Sequence, residues 1–170
     1  MSVLTGSKLP PISLDEFRHG MRRLTAGVSL ITTEYQGEKH GLIATSVSSL
    51  TAEPPSLLVC VNRSSSSHDP ITGSGVFAVN VLASHHDDIC AQFSQSARRA
   101  DRFQSGEWHA LKTGVPALKD ALVTFDCQLE KIVEWSTHSI LLAHIVGIHL
   151  LDGELDPMVY FNSGFHTLKP

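Results

Sequence analysis

Apolar residues at Leu14, Phe17, Met21 and Leu24 recur at spacings of 3, 4 and 3, the stripe of an amphipathic helix. Ser13, with Glu16 three positions later, supplies a capping box at its start, and Gly27 is expected to end it. Beyond Gly27 the period drops to 2 and the segments shorten. Residues 28–33 are rich in β-branched side chains, and Gln36-Gly37-Glu38 turns them back into a strand over 41–50. Ala52-Glu53-Pro54-Pro55 forces an extended turn, because proline restricts itself and its predecessor. Residues 57–61 are apolar at every position, which predicts a strand buried on both faces. Asp69 before Pro70 reads as a helix cap with proline at the first helical position, the helix ending near Gly73 or Gly75. Residues 76–82 form another apolar strand with Asn80 as its polar insert. Ser84, with Asp87 and Asp88, then opens a helix through Ile89 to about Phe93.

Residues 95–116 are mostly polar, hold Gly106, Gly114 and Pro116, and predict a long surface excursion with a short helix. Trp108 within it is expected to serve a lid or a subunit contact. The clearest strand follows: Ala121, Val123, Phe125, Cys127 and Leu129 alternate with Thr124, Asp126, Gln128 and Glu130. The order reverses at Lys131-Ile132, which predicts a bulge or twist, and Phe125 and Trp135 are expected in the core. A last pair of strands, 140–151 and 158–161, flanks a turn at Asp152-Gly153. About seven strands and three short helices predict one mainly β domain over 1–170, a closed or nearly closed antiparallel barrel, with 1–12 as a loosely ordered arm.

Composition narrows the function. The 170 residues are 42% hydrophobic and 18% charged, enough to bury a core without a metal or disulfide staple. The net charge of −4 argues against a nucleic-acid binder. The longest apolar run, 140–151, is broken by His144, Gly147 and His149 and is too short for a membrane span. The opening MSVLTGSKLPP lacks the pattern of a secretion signal. Three scattered cysteines, Cys60, Cys90 and Cys127, fit buried reduced thiols, so a cytoplasmic protein is expected. No dinucleotide fingerprint, P-loop, nucleophile elbow or paired-cysteine motif is present. His85-His86-Asp87-Asp88 looks metal-like, but neighbours on one helix point about 100° apart and cannot converge on one ion, so no metal is expected.

The chemistry concentrates in residues 41–70. A strand carrying Thr45, Ser46, Ser48 and Ser49 precedes an apolar strand that ends in Asn62-Arg63 and four serines, just before a helix start. Hydroxyls, backbone amides and the forked guanidinium of Arg63 would make an anion cradle, and the small side chains would admit a flat ring. A flexible serine turn with solvated hydroxyls is the structural alternative. His138 alone reads as a solvated turn histidine.

The segments GLIATSVSSLTAEPPSLLVCVNRSSSSHD, VFAVNVL, RF…GEW, GVPALKDALVTFDC, THSILLAHI and PMVYFNSGFHTL resemble, in order from about Phe17 to Leu168, the short-chain flavin reductases. These are the reductase components of two-component flavin monooxygenases. The resemblance implies a split β-barrel that binds FMN or FAD as a homodimer and is reduced by NADH or NADPH. By position, it assigns Thr45, Ser46, Val47 and Ser48 to the isoalloxazine and ribityl chain, and Asn62, Arg63 and Ser65 to the phosphate. It has Arg102 and Phe103 closing over the flavin, with His138 and Tyr160 near the nicotinamide. No side chain need act as a catalyst, because hydride transfer requires only two rings face to face with water excluded. Ser136, where the family often has glycine, is one departure; Asn162-Ser163-Gly164, where it often has basic residues, is another, and the second leaves the choice between NADH and NADPH open. A flavin-binding carrier or sensor on the same barrel, or a site for another phosphate-bearing cofactor such as pyridoxal phosphate, are the alternatives.

Overall fold

The computed structural model describes residues 9–153 and 155–168. Residues 1–8 of the expected arm lie outside that range, and residues 9–12 are exposed with no regular structure. Helix α1 (Leu14–Met21) carries the expected capping box: Ser13 Oγ accepts the Glu16 N–H, and the Glu16 carboxylate accepts the Ser13 N–H. It ends at Arg22, well short of Gly27. The chain then extends as β1 (Ala26–Gly27), β2 (Ser29–Tyr35), β3 (Glu38–Ala44), β4 (Val47–Ala52) and β5 (Pro55–Asn62). Next come α2 (His68–Ser74), β6 (Val76–Val81), α3 (Asp87–Ser94) and a 3₁₀ helix (Ser96–Asp101). The chain closes with β7 (Trp108–Ala110), β8 (Pro116–Leu118), β9 (Val123–Trp135), β10 (His138–Leu150), β11 (Met158–Phe161) and β12 (Gly164–Thr167).

Seven strands form one antiparallel sheet in the order β3-β2-β6-β9-β10-β5-β4. The single strand expected over 41–50 is in fact two, and they stand at opposite margins of this sheet although only Thr45 and Ser46 separate them. A two-residue link can span the sheet's width only if the sheet coils until its margins meet. The result is an open, split barrel. The link is anchored at Ser46, whose carbonyl accepts the Cys60 N–H and whose Oγ donates to the Cys60 carbonyl at 2.8 Å, continuing the β4–β5 ladder.

Successive residues of a strand point to opposite faces, and both faces of β2 are covered. Ile31 enters the barrel core with Val59, Val61, Phe77, Val79 and Leu141, whereas Leu30 joins a second core with Ile89, Phe93, Leu118 and Met158. Polar side chains lie under that second layer as well: Thr32, Asn80, Thr124 and Asp126 are all fully buried. The covering layer is part of the segment expected to be a surface excursion. Thr32 Oγ1 donates to the Pro116 carbonyl, and Asn80 Oδ1 accepts from Leu118 N and Thr124 Oγ1. Asn80 Nδ2 donates to the Leu30 carbonyl, and the Asp126 carboxylate accepts from the N–H and hydroxyl of Thr113. Buried polar groups are stable only when paired, and this row of hydroxyls and carboxamide is the adhesive for β8.

Other differences are local. In α2 the cap is Ser67 and not Asp69, and Gly75, with φ of 71°, closes it. In α3 the cap is His86 and not Ser84, whose hydroxyl instead reaches Asp156. The bulge in β9 falls at Glu130, one residue before the expected reversal. The strands flanking Asp152-Gly153 do not pair: β10 lies between β9 and β5, while β11 joins β1 and β12 in a separate three-stranded sheet. Trp135, expected in the core, is 77% exposed. Trp108, expected to be exposed as a lid or a subunit contact, is half-buried against Phe93 and Phe103 and donates its indole N–H to the Ser105 carbonyl. No helix among the described residues is long and apolar enough to cross a membrane.

Candidate functional site

Under the seam lies a cavity of about 640 Å³, the size of a small-ligand site. One side is the β3 segment from Gly41 to Ala44, continued by Thr45 and Ser46 at the corner. Phe93 and Ser94, from the end of α3, form another wall, with Arg102 above them and Cys60 below. Asn62, Ser65, Ser66 and His138 complete the rim. The lining combines apolar side chains with hydroxyls and a guanidinium, and it contains no carboxylate.

The serine corner owes its shape to Asn62. Its Oδ1 accepts from the Ser64 N–H and hydroxyl, both at 2.9 Å, and its carbonyl accepts the Ser65 N–H. This side-chain-made turn bends the chain off β5 and aims Ser65 and Ser66 into the cavity. Ser67 is buried and donates to the Gly41 carbonyl, locking the corner to β3. His68 adds a strut, with Nε2 2.9 Å from Ser139 Oγ on β10 and Nδ1 2.8 Å from Asp69. A chain bent in this way presents donors to a cavity whose lining holds no carboxylate, as a phosphate requires.

Arg102 is clamped by three carbonyls, donating to Gln92, Phe93 and Gly41, and lies 5.4 Å from the centre of the Phe93 ring. Burial, with Arg99 nearby, pulls its guanidinium below the usual arginine range. The Phe93 ring in turn meets Phe103 edge-on. The polar segment after α3 is thereby pinned to the cavity wall. Glycine is required at position 41 for this closeness: a Cβ there would stand 2.7 Å from the Phe93 ring and 3.0 Å from the Ile31 carbonyl.

Of the residues singled out in the sequence, Thr45, Ser46, Asn62, Ser65, Arg102 and His138 meet around this cavity. His138 is exposed at its mouth, Nδ1 2.9 Å from Thr137 Oγ1, so Nε2 is left for a ligand. Phe103 lines an adjoining cavity with Arg102. Val47, Ser48, Arg63 and Tyr160 are not on the lining. Ser48 is exposed on β4 and bonds to the Ser49 carbonyl, and Tyr160 packs on the second core beside Phe165. The Arg63 guanidinium is turned to Glu134, 3.5 Å away on the outer surface. Sequence reasoning missed Cys60 and Phe93, and had Ser66 only as one of the four serines of the corner. A strand apolar at every position gave no sign that Leu58 and Cys60 are only half-buried, Cys60 facing the cavity. The three cysteines are free, and burial pushes the Cys127 thiol up to about 12, which makes it inert.

The histidine pair behaves differently from its expectation. His85 and His86 precede α3, and their rings stand 4.1 Å apart beside Asp120 and away from Asp88. His86 Nδ1 accepts the Ala83 N–H at 3.0 Å. The neutral ring therefore carries its proton on Nε2, the atom 3.2 Å from Asp120. In that tautomer Nε2 faces the Asp120 carboxylate as a donor, and of the three side chains only His86 is buried.

Residues 21–169 match the model of the flavin reductase like domain. The chain is 38% identical to an FMN reductase (NADH), RutF, of Ancylobacter novellus, over 95% of this chain and 89% of that one. Among solved structures it is similar to a putative flavin reductase of Haemophilus somnus, at 32% identity and a TM-score of 0.88, covering 92% of this chain and all of that one. It is also similar to a homologue of nitrilotriacetate monooxygenase component B from Mycobacterium thermoresistibile. That likeness has 25% identity and a TM-score of 0.87, over 92% of this chain and 87% of the other.

Proposed function

The chain belongs to the flavin reductase like domain family, and on that premise we propose that it is an NADH-dependent FMN reductase working in the cavity beneath the Thr45–Ser46 seam. The observation that carries this reading is the composition of the lining: an apolar strip wide enough for a flat ring, a hydroxyl-rich corner for a phosphate, and no carboxylate to repel either. A flavin mononucleotide has those parts in that order, which is the test of fit. When bound, FMN supplies an electrophilic ring nitrogen that takes a hydride from the dihydronicotinamide carbon, leaving oxidised nicotinamide.

The protein's own contribution is to bind, orient and dry the site. Ser65 and Ser66 would hold the phosphate by hydrogen bonds from their hydroxyls, and Asn62 keeps their loop in the shape that points them into the cavity. Ser46 anchors the link to β5, and Thr45 lies beside it with its hydroxyl available for the ring or ribityl chain. Arg102 adds positive charge without leaving its three carbonyls, and Phe93 shields the ring from water. His138 meets the nicotinamide nucleotide at the mouth. No side chain exchanges a proton with the reacting carbon, consistent with a cavity that holds no carboxylate.

The reduced flavin is released to a separate monooxygenase component, a reading supported by the likeness to a monooxygenase component B homologue. Two copies pair through the unburied apolar stripe of α1, and the free thiols suit the cytoplasm. The direct test is NADH oxidation, followed at its absorbance, with FMN, FAD and riboflavin in parallel. The expected result is turnover with FMN well above the flavin-free rate. Absence of turnover with every flavin and with either NADH or NADPH overturns the proposal, and a yellow protein inert to both nucleotides would identify a carrier instead.

A further inference from the structure

Beside the flavin cavity lies a second one, of about 400 Å³, lined by Gly37 to His40 of the β2–β3 hairpin and by Arg99, Arg102 and Phe103. The two are consecutive along one strand: residues 37–40 face the second cavity and residues 41–44 the first, and Arg102 is common to both. They meet at the Gly41 carbonyl, which accepts the Ser67 hydroxyl from the serine corner and an Arg102 N–H from the other side. A chain of phosphates leaving the serine corner would enter the second cavity there.

Its charge is unusual for this protein. In a molecule of net charge −4, Lys39, Arg99 and Arg102 converge on one hollow. Among the described residues none of the three is within ion-pair distance of a carboxylate. Glu38 is the one acidic residue on the lining. His40 completes the set. Burial first, and Arg99 second, hold its imidazole below the ordinary range, so near neutral pH it offers a neutral hydrogen-bonding ring beside the cations. Uncompensated guanidinium and ammonium groups around a hollow of nucleotide size are the chemistry of a diphosphate site.

We infer that this second cavity binds the adenosine diphosphate half of a dinucleotide, so that Lys39 and Arg99 decide how well the protein distinguishes dinucleotides from mononucleotides. The inference rests on the reductase reading for the ligand in the first cavity. The ADP group has two sources, FAD and NADH, and the same variant separates them. Lys39 and Arg99 are both exposed, so the double substitution Lys39→Ala, Arg99→Ala leaves the buried structure intact.

For the variant and the parent protein, two ratios are measured: the Kd for FAD over that for FMN, and the KM for NADH over that for reduced nicotinamide mononucleotide. Loss of two charge-assisted contacts is expected to raise one ratio by about tenfold or more. A rise in the flavin ratio assigns the cavity to FAD, and a rise in the nicotinamide ratio assigns it to NADH. If neither ratio moves, the inference is overturned. Calorimetric titration with ADP alone, expected to bind the parent protein at least about tenfold more tightly than the variant, reads the second cavity without any turnover. A protein that oxidises no NADH yet passes the ADP comparison would sink the reductase reading and keep this one.

Discussion

Ser65 and Ser66 owe their roles to a single neighbour, because the carboxamide of Asn62 builds the turn that presents them. Substituting both with alanine removes two hydroxyl donors from the phosphate corner, at the cost of one bond within it, from the Ser67 N–H to Ser65 Oγ. FMN affinity should fall about tenfold, while riboflavin, which has no phosphate, should bind within about twofold of before. Fluorescence titration of the two flavins side by side reads the difference. Arg63→Ala should change neither by more than about twofold, since an exposed ion pair to Glu134 is worth at most about 1 kcal/mol. His86 carries a different consequence. Its ring is buried with Nδ1 held by the Ala83 N–H, and burial keeps its pKa below the ordinary 6.5 despite Asp120. As pH falls below about 6.5, the unfolded chain takes up a proton the folded ring resists, so stability declines and levels off only below the folded value. His40 and His109 are lowered in the same sense. His86→Asn, which keeps an acceptor where Nδ1 sits, should flatten the fall in urea-unfolding stability between about pH 7 and pH 5.

The elements divide by how local their causes are. The capping box of α1, the tight turn at Gln36-Gly37 and the apolar strands β5 and β6 were legible because neighbouring residues determine them. The break in the strand after Ala44 was not, because the pattern of small and hydroxyl residues runs unchanged through Thr45 and Ser46. Only the closing of the sheet decides which margin each half joins. What covers the polar residues of β6 and β9 was out of reach for a related reason: nothing in the alternation shows that β8 and Thr113 are laid over Asn80, Thr124 and Asp126. In the site, Thr45, Ser46, Asn62, Ser65, Arg102 and His138 were legible as a group, through resemblance more than through spacing. Phe93 was hidden at the end of a short helix. Its contact with Gly41 gives a test of how the wall is held. Gly41→Ala forces the ring and the Arg102 clamp outward, so thermal stability should drop by about 1–3 kcal/mol, the usual range for overpacking, and FMN affinity should drop with it. A variant with unchanged melting temperature would show that the wall is soft.

The assembled barrel leaves one helix without a purpose of its own. Helix α1 buries no residue, and Leu14, Phe17, Met21 and Leu24 are all exposed on one stripe. Isolated helices of this length are marginal in water, so a second copy covering the stripe would give it a reason to form. Phe17→Asp with Met21→Asp should convert a dimer to a monomer in sedimentation while the far-ultraviolet circular dichroism keeps its strand signature. A monomeric parent protein would dismiss the pairing. The seam at Thr45–Ser46 has a consequence of a different kind. Every ladder of the seven-stranded sheet is complete without the peptide that joins β3 to β4, so that joint is topologically dispensable but mechanically a hasp. A circular permutant opened there would keep its strand pairings and lose the covalent link between the rims. Ligand capture and architectural integrity would then come apart in one molecule.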